Sequence, residues 1–250
     1  LTLECKKRTV SRSKTLELLS RLADVPGDDA MTLYLPPDLP SGEVQNILKE
    51  LAVPGDVRAD IAKTAISSIT GAVIFWNHDN KYMLLPPFPF PKQIISHTVN
   101  TLPLQTLLGK DCLIALVLVR LGSYGIGVYR GERRVTSKVG TGLVHGRHRQ
   151  GGSSAHRFER HRDKQIEYFL TRVCQRAREQ LEPYVKSLDY IAYGGARTII
   201  RLLQKQCSLL ENLEIPALPP LLDIPEPRQK VLEEAITRVW STTVFEWRED

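Results

Sequence analysis

Long hydrophobic runs are missing from this sequence. The longest, Cys112–Val119 (CLIALVLV), falls far short of the roughly 20 apolar residues that a bilayer-spanning helix needs, and it is expected to be a buried strand. The start, LTLECKKRTV, has no apolar core of the kind a secretory signal carries. Cysteine is sparse: Cys5, Cys112, Cys174 and Cys207 are far apart and form no C-x-x-C pair, which argues against a zinc ribbon or a thioredoxin-like motif. Three of them sit among apolar residues, so reduced, mostly buried thiols and a cytoplasmic protein are expected. No internal repeat and no low-complexity segment occurs, which excludes solenoid and tail-like architectures. The G-x-S-x-G signature of α/β-hydrolases is also missing.

What is present is a globular composition, 42% hydrophobic and 25% charged over 250 residues, enough for one large domain or two modest ones. The net charge of +6 points towards a polyanionic partner, because Lys and Arg that neutralise phosphates release counterions. The charge is also unevenly placed. Arg130, Arg133, Arg134, Lys138, Arg147, Arg149, Arg157, Arg160, Arg162 and Lys164 crowd one region, whose acids are only Glu132, Glu159 and Asp163.

Periodicity predicts an amphipathic helix over 11–25, a strand over 31–37 stopped by two prolines, and helices near 42–51 and 56–68. A hairpin turning at Asn77–Asn80 follows, then a connector and a short helix ending near Leu108. Three strands in a meander come next, at 113–121, 125–129 and 133–139. After them come a long helix over 154–183 with Phe158, Ile166, Phe169, Leu170 and Val173 on its apolar side, a strand over 188–195 and a helix over 196–210. A Pro-rich bridge then leads to a last helix over 228–240. This order predicts an α/β sandwich with a mixed sheet, cut near residue 108 into an N-terminal α/β region (1–108) and a second domain (109–250).

The region of interest is His145–Lys164, HGRHRQGGSSAHRFERHRDK. Several chemistries could be read into it and its surroundings. The nearby GSYGIG (Gly122–Gly127) has the spacing G-x-x-G-x-G and is followed by a strand, so it reads as a hairpin turn and not as a dinucleotide loop. His145, His148, His156 and His161 match no standard zinc spacing, and the surrounding Arg side chains would repel a dication. Ser153 or Ser154 beside a histidine could be a nucleophile, but no acid is placed to orient the base. A solvated basic face is the plain alternative. Against it, Gly151 and Gly152 leave backbone N–H groups uncovered, and Arg157, Arg160 and Lys164 fall at i, i+3 and i+7, one helical face that could follow a phosphate backbone.

The run HGR…GGSSAHRFERHR resembles the signature of archaeal and eukaryotic class I release factors, H-G-R-G-G-Q-S-A-x-R-F-x-R-x-R. His145, Gly146 and Arg147 match its front. After an extra HRQ, Gly151, Gly152, Ser154, Ala155, Arg157, Phe158, Arg160 and Arg162 match the rest. The preceding meander and the following LDYIAYGG strand with its helix resemble the same central domain, so the resemblance covers about 111–215 and implies an RNase H-like fold. Two features depart from that pattern. Ser153 stands where the signature has Gln, and residues 1–108 carry no visible stop-codon-reading domain. MTLYLPP and GAVIFWNHDNKYMLLPPFPF look instead like the N-terminal part of bacterial release-factor-like proteins. Those are similar to the eukaryotic tRNA hydrolase of ribosome quality control, and RQGGS (Arg149–Ser153) resembles the loop of that eukaryotic member.

The resemblance implies hydrolysis of the ester between a nascent peptide and tRNA, with the loop at 145–157 entering the peptidyl-transferase centre of the large ribosomal subunit. Gly151, Gly152, Ser153, Ser154 and Gln150 would form the catalytic tip. His145, Arg147, His148, Arg149, His156, Arg157, Arg160, Arg162 and Lys164 would grip ribosomal or transfer RNA. Neither a cofactor nor a metal is implied, and the protein is expected to act as a monomer away from membranes. A non-catalytic ribosome- or tRNA-binding module of the Pelota type is the rival that the missing Gln keeps open. Cleavage within the tRNA 3′ end is a third reading.

Overall fold

A computed structural model describes residues 3–24, 29–144 and 155–249, together with the backbone but not the side chains of 155 and 156. The chain forms two compact units: Leu1–Lys110 joined by Trp240–Asp250, and Asp111–Val239.

In the first unit the elements are β1 (Leu3–Val10), α1 (Arg12–Ala23), β2 (Met31–Leu35), α2 (Ser41–Leu48), α3 (Gly55–Ser67), β3 (Ala72–Trp76), β4 (Lys81–Leu85), β5 (Ile94–Ser96) and α4 (Leu102–Gly109), with β11 (Thr242–Glu249) arriving from the C-terminal end. The strands pair antiparallel in the order β1-β11-β4-β3-β2-β5. Strand side chains alternate between faces. Leu33, Leu35, Ile74, Trp76, Met83 and Trp247 therefore share one face and pack on Val44, Leu48, Val57 and Ile61 of α2 and α3. The expected domain cut placed 109–250 together; Trp240–Asp250 instead lies in the first unit, because β11 fills the place between β1 and β4.

In the second unit, β6 (Leu113–Arg120) is buried at every position but its last, the pattern of a strand covered on both faces. It pairs antiparallel with β7 (Ser123–Arg130), which pairs antiparallel with β8 (Arg133–Thr141). On its other side β6 runs parallel to β9 (Tyr190–Gly195), which runs parallel to β10 (Ala217–Leu222). A three-strand meander extended by two parallel strands is the mixed sheet of an RNase H-like sandwich. The helices are α5 (Ala155–Leu181), α6 (Arg197–Gln206), α7 (Ser208–Glu211) and α8 (Gln229–Val239), with a 3-10 turn at Glu182–Ser187. Leu113, Ala115, Val117, Tyr124, Ile126 and Val128 face Phe169, Leu170, Val173 and Ala177 of α5 and Ile200 and Leu203 of α6. On the opposite face, a methyl at Gly125 would touch the Leu232 side chain of α8, which places that helix there.

Cys174 of α5 and Cys207, between α6 and α7, form a disulfide closing 33 residues of chain, which corrects the expectation of reduced thiols. Both lie in the core cluster between α5 and α6, where packing brings the two Cα atoms to 5.3 Å. GSYGIG is a β-hairpin: Arg120 pairs with Ser123, and Gly122 turns the chain at φ 96°. No helix among the described residues is long and apolar enough to cross a membrane.

Candidate nucleic-acid interface

The site is built from where β8 ends and α5 begins. The Gly142 N–H donates to the Gly122 carbonyl at 2.9 Å, tying the end of β8 to the β6–β7 hairpin. A Cβ at Gly142 would lie 2.7 Å from the Phe169 ring, so only glycine lets the chain cross that ring at this height. The Arg172 guanidinium donates to the Thr141 carbonyl at 3.1 Å. The chain therefore leaves the sheet beside residues 169–172 of α5.

The helix itself starts at Ala155. At 1.5 Å rise per residue, that start lies about 20 Å along the helix axis from Phe169. Among the described side chains of α5, Phe169 is the first to be buried; from Arg157 to Tyr168 every residue is exposed or only half-buried. The C-terminal half is held firmly. Tyr124 and Phe169 rings lie 6.3 Å apart, Gln206 donates to the Glu167 carbonyl at 3.1 Å and to Thr171 Oγ1 at 2.7 Å, and the disulfide ties Cys174 to the end of α6. A rooted helix thus carries its first turns clear of the core.

Those first turns hold the charge. Arg157, Arg160 and Lys164 are exposed, and Arg162 is half-buried. At about 100° per residue, Arg157, Arg160, His161 and Lys164 lie on the side away from the buried stripe Phe169–Val173–Ala177. Glu159, Asp163 and Glu167, spaced by four, step around the helix from the line of the buried stripe towards the edge of the basic one. The result is an outward basic stripe with Glu167 along one edge. Among the basic residues outside α5, Arg134 is partnered by Glu233 at 3.2 Å.

His145, Arg147, His148, Arg149, Gln150, Gly151, Gly152, Ser153 and Ser154 lie outside the described residues, as does the His156 side chain. Arg157, Arg160 and Lys164 share the outward stripe, while Arg162, seven residues before Phe169, falls on the line of the buried stripe and is half-buried. Phe158, expected on the apolar side, is 54% exposed. Sequence reading missed Tyr168 and Arg172, which continue the same line towards the body of the unit. Their signal was the spacing 157, 161, 164, 168, 172, legible only once the buried face gives the helix a phase.

A family model described as Actinobacteria/chloroflexi VLRF1 release factor matches residues 113–245. The peptide chain release factor subunit 1 of Archaeoglobus fulgidus is 29% identical over 196 residues, covering 68% of this chain and 48% of its own length. The same-named protein of Aeropyrum pernix is 24% identical over 207 residues, covering 70% and 54%. The chain thus spans about half the length of the curated relatives it matches. Among solved structures, that of the archaeal translation termination factor aRF1 aligns with 92% of this chain and 70% of its own, at 19% identity and a TM-score of 0.41.

Proposed function

The chain belongs to the Actinobacteria/chloroflexi VLRF1 release factor family, and from that membership we propose that it is a ribosome-associated peptidyl-tRNA hydrolase that frees nascent chains from tRNA on stalled large subunits. One observation carries the reading. From Arg157 to Tyr168 no residue of α5 is fully buried and a basic stripe faces outward, and the helix begins just after the Gly-Gly segment. A stalk of that kind suits delivery of a small tip into an RNA-walled space, its cations meeting phosphates on the way.

At the tip, Gly151 and Gly152 permit a backbone conformation closed to other residues. The N–H of Ser153 is then aimed at the oxyanion, or at the 3′-oxygen that leaves as the ester breaks. A backbone donor of this kind survives the exchange of Gln for Ser. The Ser153 or Ser154 hydroxyl, or the Gln150 amide, takes over orientation of the attacking water. Most of the acceleration comes from placing that water in a site the ribosome has already organised.

The test is release of labelled peptide from peptidyl-tRNA on isolated large subunits. Gly152→Ala should lower the rate about 100-fold or more, the usual cost of misplacing a catalytic donor by about 1 Å. The Gly151/Gly152→Ala/Ala form should be inactive while still binding the subunit. Full activity in Gly152→Ala would sink the mechanism. The second reading, a binding module without chemistry, is favoured by Ser153 standing in the place of Gln. Salt-sensitive subunit binding with no release by the unsubstituted protein would establish it.

A further inference from the structure

Tyr168 is 75% exposed, and no large apolar side chain among the described residues is more so. A tyrosine ring left in water is not explained by the core, which α5 meets through Ile166, Phe169 and Val173 on its other side. Its place on the helix is specific. Arg157, His161, Lys164 and Tyr168 follow one another at steps of four, three and four on the side opposite Phe169, Val173 and Ala177, and Arg172, four residues on, stands at the flank of that side. All five are exposed. Lys164 and Arg172 flank the ring, each about 6 Å away along the axis. Arg172 is held in place by its bond to the Thr141 carbonyl. Glu167, the nearest acid in sequence, points about 100° away around the helix, on the line of Glu159 and Asp163.

An aromatic face between cations, with no acid and no other apolar residue on its line, has the chemistry of a nucleobase platform. The cations hold the phosphates while the ring takes the flat face of a base. A protein hot spot would instead surround the ring with apolar contact area, which this line lacks. The base must be unpaired, because a paired base offers no free face to a side chain approaching from outside the helix. We propose that Tyr168 is a stacking platform for an unpaired base of a single RNA strand, whose backbone follows the Arg157–Lys164–Arg172 line. This rests on the proposed RNA contact of α5, and it adds a residue, a mode of contact and a strand state to it.

The experiment titrates the full chain with a fluorescein-labelled oligoadenylate of about 12 nucleotides, and with a duplex of the same length, over a range of salt. Tyr168→Ala should weaken single-strand binding by about 5- to 150-fold, the usual effect of deleting one stacking ring. Duplex binding and the log–log salt slope should stay as they were, because the ring neutralises no phosphate. Tyr168→Trp should bind as well as the unsubstituted protein or better. Lys164→Ala should flatten the slope by about 0.7. Tyr168→Ala binding single strands at full strength, with Lys164→Ala still flattening the slope, would overturn the platform and leave the RNA contact standing. Tyr168→Trp as weak as Tyr168→Ala would also overturn it, by pointing to the hydroxyl. No salt-dependent binding by the unsubstituted protein would overturn both the platform and the RNA reading beneath it.

Discussion

Gly195 closes β9 at φ 116°, and a methyl group there would collide with the Val119 carbonyl oxygen of β6, its register partner. Gly195→Ala is expected to destabilise the Asp111–Val239 unit by about 2 kcal/mol or more, because both backbone strain and the collision oppose it. A fall in the urea midpoint with an unchanged m-value, followed by circular dichroism, would show this. A second residue sets the acid limit of the other unit. Glu246 is a buried carboxylate on β11. It accepts from Tyr82 Oη at 3.0 Å and from Arg248 at 2.6 and 2.9 Å, and its second oxygen lies 3.3 Å from Arg8. Burial pushes its pKa up, but the bonds from Arg248 and Tyr82 and the charges of Arg248 and Arg8 outweigh that, and it lies below the usual range. A lowered folded value gives stability that is present above the unfolded pKa, about 4.3, and lost as pH falls through the folded one. Trp76, Trp240 and Trp247 all belong to this unit. Tryptophan fluorescence in urea should therefore show its stability falling as pH drops below about 5, and Glu246→Gln should flatten that dependence.

At the scale of the element, α5 is two helices in function: a rooted half after Phe169 and an outward half before it. Replacing Arg157, Arg160 and Lys164 together by alanine should flatten the salt dependence of subunit binding by about 0.7 for each single-strand phosphate no longer neutralised, while thermal stability changes little. The rooted half is pinned by the disulfide, so its reduction should destabilise the unit by about 3–4 kcal/mol, the chain-entropy value for a loop of this size. Alkylation of the unfolded, unreduced protein should label Cys5 and Cys112 alone, as mass spectrometry would read. α5 and the β3–β4 hairpin were legible in the sequence from their apolar patterning, and β6 from its continuous apolar run. β10 was not, because Pro219 and Pro220 made it read as a bridge. It is an edge strand, paired with β9 only through Ala217, Leu218 and Leu222 around the prolines. β1 was hidden by Lys6, Lys7 and Arg8 on a half-exposed edge, and β11 by a glutamate at an inward position. The candidate site was legible as a run of residue types. The sorting of its charges into an outward basic line and a separate acidic one needed the helical phase, which follows from the location of the core.

Across the whole molecule, the second unit is an insertion in the sequence of the first, entered after Lys110 and left before Trp240. Residues 111–239 carry an unbroken five-strand sheet with its helices, so this fragment should fold alone, with cooperative melting and dispersed amide resonances. Residues 1–110 should not, because removing β11 parts β1 from β4 and leaves both as open edges. Mixing the fragment 1–110 with a peptide of residues 240–250 should restore structure, visible as protection of β1 and β4 amides from exchange. The position of β11 also sets a timetable. During synthesis the inserted unit is complete as soon as residue 239 clears the exit tunnel. The unit that began first must wait, its sheet open between β1 and β4, until the last strand emerges.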